Sequence, residues 1–300
     1  MKKFINTTVS LFAILISINL VGCSADQPIP SSDLPDYTEK LVVNASLDNL
    51  NIMEVKISNT TSAYTEDLPV AYNDVTINMA SSNSSVSMVY DNVSNSFKAN
   101  RPATPGLSYT IEVSDNKGSL PTVKSRCFMP DKLVDKSVSM IENGGLDLEG
   151  RVSDKINVKW VDVAGNNYYV LHFYYYSETA DLFIPFEFAL TDVTLKAPET
   201  IKLDDGGYLF NDALFNGREK SISVVPPGGL VAGNSDILYL VELRTVTEDY
   251  YKYQKTLKQY HDSEVRQLSG PFGSAVIVHS NITNGLGAFI SSTLESDTIR

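Results

Sequence analysis

Between Glu39 and Pro130 the chain returns again and again to one pattern, and that pattern limits its fold. Segments 41–47, 53–57, 75–79, 86–90, 109–113 and 122–128 are short, rich in Val, Ile, Thr and Tyr, and mostly alternate apolar with polar residues. Alternation with period two makes each segment a strand with one buried and one wet face, which is the signature of antiparallel sheets. Ser114-Asp115-Asn116-Lys117-Gly118 supplies a hairpin loop in which Gly118 takes positive φ. Some seven strands in about 95 residues suit a sandwich of immunoglobulin or transthyretin type. The Cys and Trp markers of immunoglobulin domains are missing, so the strand topology stays open.

After Pro130-Asp131 the composition turns aromatic. Segments 156–160, 168–176, 183–193, 221–225, 237–243 and 275–278 read as further strands, with Ala164-Gly165-Asn166-Asn167 turning between the first two and Pro226-Pro227-Gly228-Gly229 as a loop. Tyr168 to Tyr176 is apolar on both faces. Such a strand is either sandwiched between layers or presents an aromatic face outward as a binding surface. A single helix is predicted over 247–261. Thr247 caps it, Glu248 and Asp249 complement the positive end of its dipole, and Tyr250, Tyr253, Leu257 and Tyr260 form its packing stripe. The expected fold class is therefore mainly β: a sandwich over 37–130, then a second β-rich domain over 131–300 that carries one helix.

Residues 1–22 read as a signal peptide, with Lys2 and Lys3 as its charged start and an apolar run from Val9 to Leu20 that is too short to span a bilayer. Leu20-Val21-Gly22-Cys23 resembles the bacterial lipobox, in which the cysteine sulfur is acylated and the chain is cut before it. That likeness implies a lipid anchor at Cys23, with several acyl chains, palmitate among them, giving a stable hold. Residues 23–36, with Pro28, Pro30 and Pro35, read as a lipidated tether. Asp26 behind the cysteine resembles the export signal of lipoproteins on the Bacteroidota cell surface.

Charge narrows the partners. Removing the signal takes the formal charge from −12 to −14, because it carries two lysines and no acid. So acidic a surface argues against nucleic acid and against unaided binding to anionic membrane. Acylation of Cys23 leaves Cys127 without an intramolecular partner, so no disulfide is expected, and Cys127 reads as a small buried hydrophobe.

Catalytic signatures are scarce. His172, His261 and His279 are widely spaced, with no His-Glu-x-x-His, Gly-x-Ser-x-Gly or Cys-His arrangement. The expectation is a chain without a catalytic set, a cofactor or a metal. Asp204-Asp205-Gly206-Gly207 and Asp212 crowd three acids around two glycines, but the spacing lacks a calcium-loop pattern and reads as a surface turn.

Four segments carry a likeness to a known family. In order they are Phe210-Asn211-Asp212-Ala213-Leu214-Phe215-Asn216-Gly217, Val246-Thr247-Glu248-Asp249-Tyr250-Tyr251-Lys252-Tyr253, Pro271-Phe272, and Ser280-Asn281-Ile282-Thr283-Asn284-Gly285-Leu286-Gly287-Ala288-Phe289. They resemble the hallmarks of an uncharacterised, domain-of-unknown-function family of Bacteroidota outer-membrane lipoproteins, often encoded beside TonB-dependent receptors. Ala288-Phe289-Ile290 departs from the family's more usual branched residue followed by Phe-Gly. The segments themselves read as fold signatures, with asparagine bonding local backbone and glycine taking positive φ.

The resemblance implies a surface-exposed outer-membrane lipoprotein, held at Cys23 and facing the cell exterior. Its role would be that of a non-catalytic accessory to a TonB-dependent transporter, capturing a small-molecule or peptide ligand. Tyr168, Tyr174 and Tyr176 with Asp204, Asp205 and Asp212 are the candidate ligand or partner contacts. The alternative is a structural, adhesion or envelope-assembly lipoprotein that binds other proteins.

Overall fold

Alternation in the sequence becomes burial in the structure. In the computed structural model, which describes residues 37–62, 69–188, 192–228, 237–267 and 276–300, strand β1 (Leu41–Leu47) buries Leu41, Val43, Ala45 and Leu47 and turns the residues between them outward. Full burial of a Leu or Val side chain contributes about 2 kcal/mol. The signal peptide, Cys23 and the tether lie outside the described residues.

β1 pairs with β2 (Ile52–Asn59), β2 with β6 (Ser96–Pro102), and β6 with β5 (Val89–Asp91), all antiparallel. A second sheet has the order β4-β3-β7-β8, built from β3 (Val75–Ser81), β4 (Ser84–Val86), β7 (Ser108–Asp115) and β8 (Val123–Phe128). Met53, Val55, Phe97, Tyr109, Ile111 and Val123 join the residues of β1 in one apolar interior shared by the two sheets. The single strand expected over 86–90 is two, because Ser87 and Met88 break the pairing between β4 and β5.

The aromatic half has a second interior. β9 (Val134–Leu146), β10 (Val152–Val161) and β15 (Glu219–Val224) form one small sheet. Facing it are β11 (Tyr168–Ser177), β12 (Leu182–Pro185), β13 (Ile201–Lys202), β14 (Tyr208–Asn211) and β16 (Tyr239–Val246). Trp160 lies fully buried against Tyr169, Phe210 and Phe215, at centroid distances of 5.4, 6.4 and 5.8 Å. Of the strand expected over 183–193, among the described residues only the part ending at Pro185 forms a strand, and Tyr208–Asn211, expected as part of a turn, forms β14.

Helix α1 (Glu248–Gln267) starts where expected and runs six residues further than 261. The Tyr250 amide donates to Thr247 Oγ1 at 3.2 Å, and Glu248 and Asp249 occupy the first turn. Its buried face centres on Tyr251, with Tyr250 beside it, in a third apolar cluster with Val170, Leu209 and Val246. Tyr260, expected on that face, is exposed. Among the described residues no helix is long and apolar enough to cross a membrane.

One strand ties the halves together. β17 (Leu286–Ile299) pairs its first six residues in parallel with β1, Val42 opposite Leu286, and its last eight antiparallel with β16, Val246 opposite Ser292. Pro130-Asp131 thus falls between two interiors, but Ile282 and Phe289 return to the first, and a single ten-stranded sheet continues through both. The expected strand over 275–278 does not form at the described positions 276–278, where Ile277 is exposed. The edges of β1 and β16 left by β2 and β11 are both taken by β17.

Candidate ligand-binding site

Both faces of β11 are covered. Tyr169, Leu171 and Phe173 enter the second interior with Trp160, while Tyr168 and Val170 face the other way, into the cluster under α1. The strand is sandwiched between layers, so its binding surface is confined to what the layers leave open.

At the Tyr168 end they leave a cavity of about 670 Å³. Tyr168 packs against Tyr251 with ring centroids 4.9 Å apart and planes tilted by 33°, and burial raises its hydroxyl pKa. One wall is the end of β8 with Pro130 to Leu133, another is the turn Val163 to Asn167, and a third is the entry to α1 from Thr245 to Asp249. Cys127 lines the cavity as well, and burial pushes its thiol up to about 12. It is an inert apolar group at neutral pH.

Three of the four segments carrying the family likeness, far apart in sequence, frame this cavity, and Pro271-Phe272 lies outside the described residues. Thr247 to Asp249 line it directly. The segment 210–217 clamps the turn that forms the second wall. Asp212 accepts hydrogen bonds from the Asn167 backbone and side-chain amides at 3.1 and 3.3 Å, and Asn216 exchanges bonds of 2.6 and 3.1 Å with the backbone of Gly165. Beneath them Asp162 accepts from the Tyr169 hydroxyl and from the Gly217 amide, the latter at 2.7 Å. Asp212 is buried, and this burial raises its pKa. From the last segment, Asn281 reaches Asp249 at 3.2 Å. Each contact is structural, and together they fix two walls of one opening. The sequence could not show this convergence, because the strand pairing that brings residues 210, 247 and 281 together has no local signal.

The acids on the walls differ in how they are occupied. Glu248 pairs with Lys252 at 2.9 Å, and Asp249 meets His279 Nε2 at 2.8 Å. Among the described residues the Arg126 guanidinium reaches only the Ser108 hydroxyl, at 3.2 Å.

The remaining candidates lie elsewhere. Asp205 approaches His172 Nε2 to 3.0 Å, and His172 stacks on Tyr174 with centroids 5.7 Å apart. His172 first of all holds the Asp205 carboxyl below its ordinary range, while burial, then Glu242 and Asp205, pushes Tyr174 up to about 12. A Cβ added at Gly207 would lie 2.3 Å from His172 Nε2, so only glycine lets the turn close over the ring. Asp204 and Asp205 border a smaller cavity of about 210 Å³ against α1. Tyr176 stands apart on the β11–β12 hairpin and donates to Asp181. Among the described residues no three His, Cys, Asp or Glu side chains are grouped to hold a metal ion. Of the six candidates, then, Tyr168 lines the large cavity and Asp212 braces its wall, whereas Tyr174, Tyr176, Asp204 and Asp205 lie outside it.

The family model described as Domain of unknown function (DUF4249) matches residues 28–298. A search of curated proteins gives no match.

Proposed function

The chain belongs to the DUF4249 family, a domain of unknown function, and from that premise we propose that it is a surface lipoprotein of the outer membrane that holds ligand for a TonB-dependent transporter without acting on it chemically. The observation that carries ligand capture is the cavity beside Tyr168. Its size falls within the range of small-molecule sites, its walls are largely apolar, and polar groups reach it from three separate elements. Anchoring rests on the Leu20-Val21-Gly22-Cys23 sequence, and the transporter on the family likeness of the four segments. Pull-down of the acylated, tagged protein from native outer membranes, with mass spectrometry of what accompanies it, tests the reading. Stoichiometric recovery of a barrel receptor is the expected result. Recovery of appendage or assembly proteins, or of nothing, overturns the transporter role.

A structural role binding other proteins has one observation in its favour. Ile141, Leu146, Leu148 and Val152 are all more than half exposed around the β9–β10 hairpin. Exposed apolar side chains gathered in this way mark protein contacts.

A further inference from the structure

From the chemistry of its walls we propose that the cavity beside Tyr168 takes an apolar monocarboxylate, a short apolar peptide bound through its C-terminal carboxylate. This rests on reading the cavity as the ligand site. The chain has 36 acids against 24 Lys and Arg, so a cavity of unbiased composition would be negative. Here the acids of the helix entry are already occupied, Glu248 by Lys252 and Asp249 by His279 and Asn281. Arg126 and Lys132, on the same wall as Asp131, make no ion pair among the described residues. The hydrogen bonds to Asp249 leave its charge in place, so the opening carries no net positive charge. What it offers an anion is local, two unpaired cations on one wall while the helix-entry acids are turned to other partners, which suits a monoanion and disfavours a phosphate dianion beside Asp131 and Asp249. The planar fork of Arg126 matches the two oxygens of a carboxylate.

Beside these charges the opening presents apolar side chains that are partly exposed. Phe128 is 49% exposed on the β8 wall and Val163 is 60% exposed on the turn, with the Tyr168 ring between the strand and α1. Large apolar side chains held open to water at a cavity are available to cover an apolar body. Asn166, at the same opening, carries both a donor and an acceptor that match a peptide group. That favours a peptide over a fatty or aryl acid, which shares the carboxylate but offers no amide.

Calorimetric titration of the full-length acylated protein in phospholipid nanodiscs tests the proposal. The probes are N-acetyl-Leu-Val-Phe as free acid, the same tripeptide as C-terminal amide, and octanoate. The free acid is expected to bind one to one, and the amide about tenfold more weakly, the loss of one charge-assisted contact. The double variant Arg126→Gln, Lys132→Gln should bind acid and amide alike, and Val163→Trp, at an exposed position on the rim, should block both. Octanoate binding more weakly than the free acid supports a peptide, whereas octanoate binding equally well overturns the peptide and leaves the monocarboxylate. Equal affinity for acid and amide, no binding of the free acid at millimolar concentration, or unchanged binding by Val163→Trp overturns the proposal. A barrel receptor still recovered in the pull-down would then leave the transporter reading standing without this ligand class.

Discussion

Asn281 and Phe289 exchange two hydrogen bonds as neighbouring strands do, except that one partner is a side chain. The Phe289 amide donates to Asn281 Oδ1 at 2.9 Å, and Asn281 Nδ2 donates to the Phe289 carbonyl at 2.8 Å. Because Phe289 is fully buried, its backbone groups need these partners. Asn281→Ala should therefore cost about 2–3 kcal/mol, read from the urea midpoint at constant slope. Asn281→Asp should cost more, since its carboxylate would face both the Phe289 carbonyl and Asp249. A loss under half a kilocalorie for either variant would refute this account.

Gly287 has φ +106°, and a Cβ there would lie 2.1 Å from the Val43 carbonyl oxygen. Gly287→Ala must push β17 away from β1, so a loss on the order of 4 kcal/mol is expected, with much faster proteolysis. Limited trypsin digestion beside the parent protein gives the comparison. Equal lifetimes would contradict the close parallel approach of the two strands.

Asp115 fixes the β7–β8 hairpin. Its carboxylate accepts from the Tyr72 hydroxyl at 2.6 Å and from the backbone amides of Lys117, Ser119 and Leu120, and these bonds, Tyr72 first, hold it well below the usual carboxylate range. A depressed pKa means that the folded state favours the ionised form. That stability is present above the unfolded value near pH 4 and is lost as pH falls toward the folded value. Asp115→Asn should thus differ most from the parent at pH 7, and the gap between their urea midpoints should close as pH falls from 5 to 2. A gap independent of pH would show that charge plays no part.

Asp212 braces the cavity wall through Asn167. Asp212→Ala leaves the Asn167 amide without its acceptor, at a cost of about 1–3 kcal/mol. Hydrogen exchange at Asn167 should accelerate while exchange in β1 stays slow. Acceleration spread evenly over the molecule would mean that Asp212 acts on global stability instead of on the wall.

Much of the fold was legible because its strands are half-buried. β1 was bounded to the residue, since its alternation is unbroken, and Thr247 with two acids behind it marked the start of α1. β17 was hidden because Leu286 to Ile299 has a glycine, Gly287, at one end and three consecutive hydroxyl residues, Ser291 to Thr293, in its middle. Those hydroxyls are buried, and Ser291 and Thr293 donate to the carbonyls of Phe128 and Pro130. A composition scan reads them as loop because it cannot see partners some 160 positions away. The site was half legible for the same reason. Tyr168 stood out as aromatic, whereas Arg126 and Lys132 become distinctive only once the acids near them are seen to be occupied elsewhere.

The split allegiance of β17 also sets a timetable. Asn44 and Ala288 meet across 244 positions, so the sheet edge at β1 stays open until almost the whole chain has been delivered. Rates of folding fall as contacts become more distant in sequence. Until then the early sandwich exposes the strand edge that will later be covered, a surface that invites pairing with other chains. A molecule closed by its last strand depends on being kept apart from its neighbours until that strand arrives.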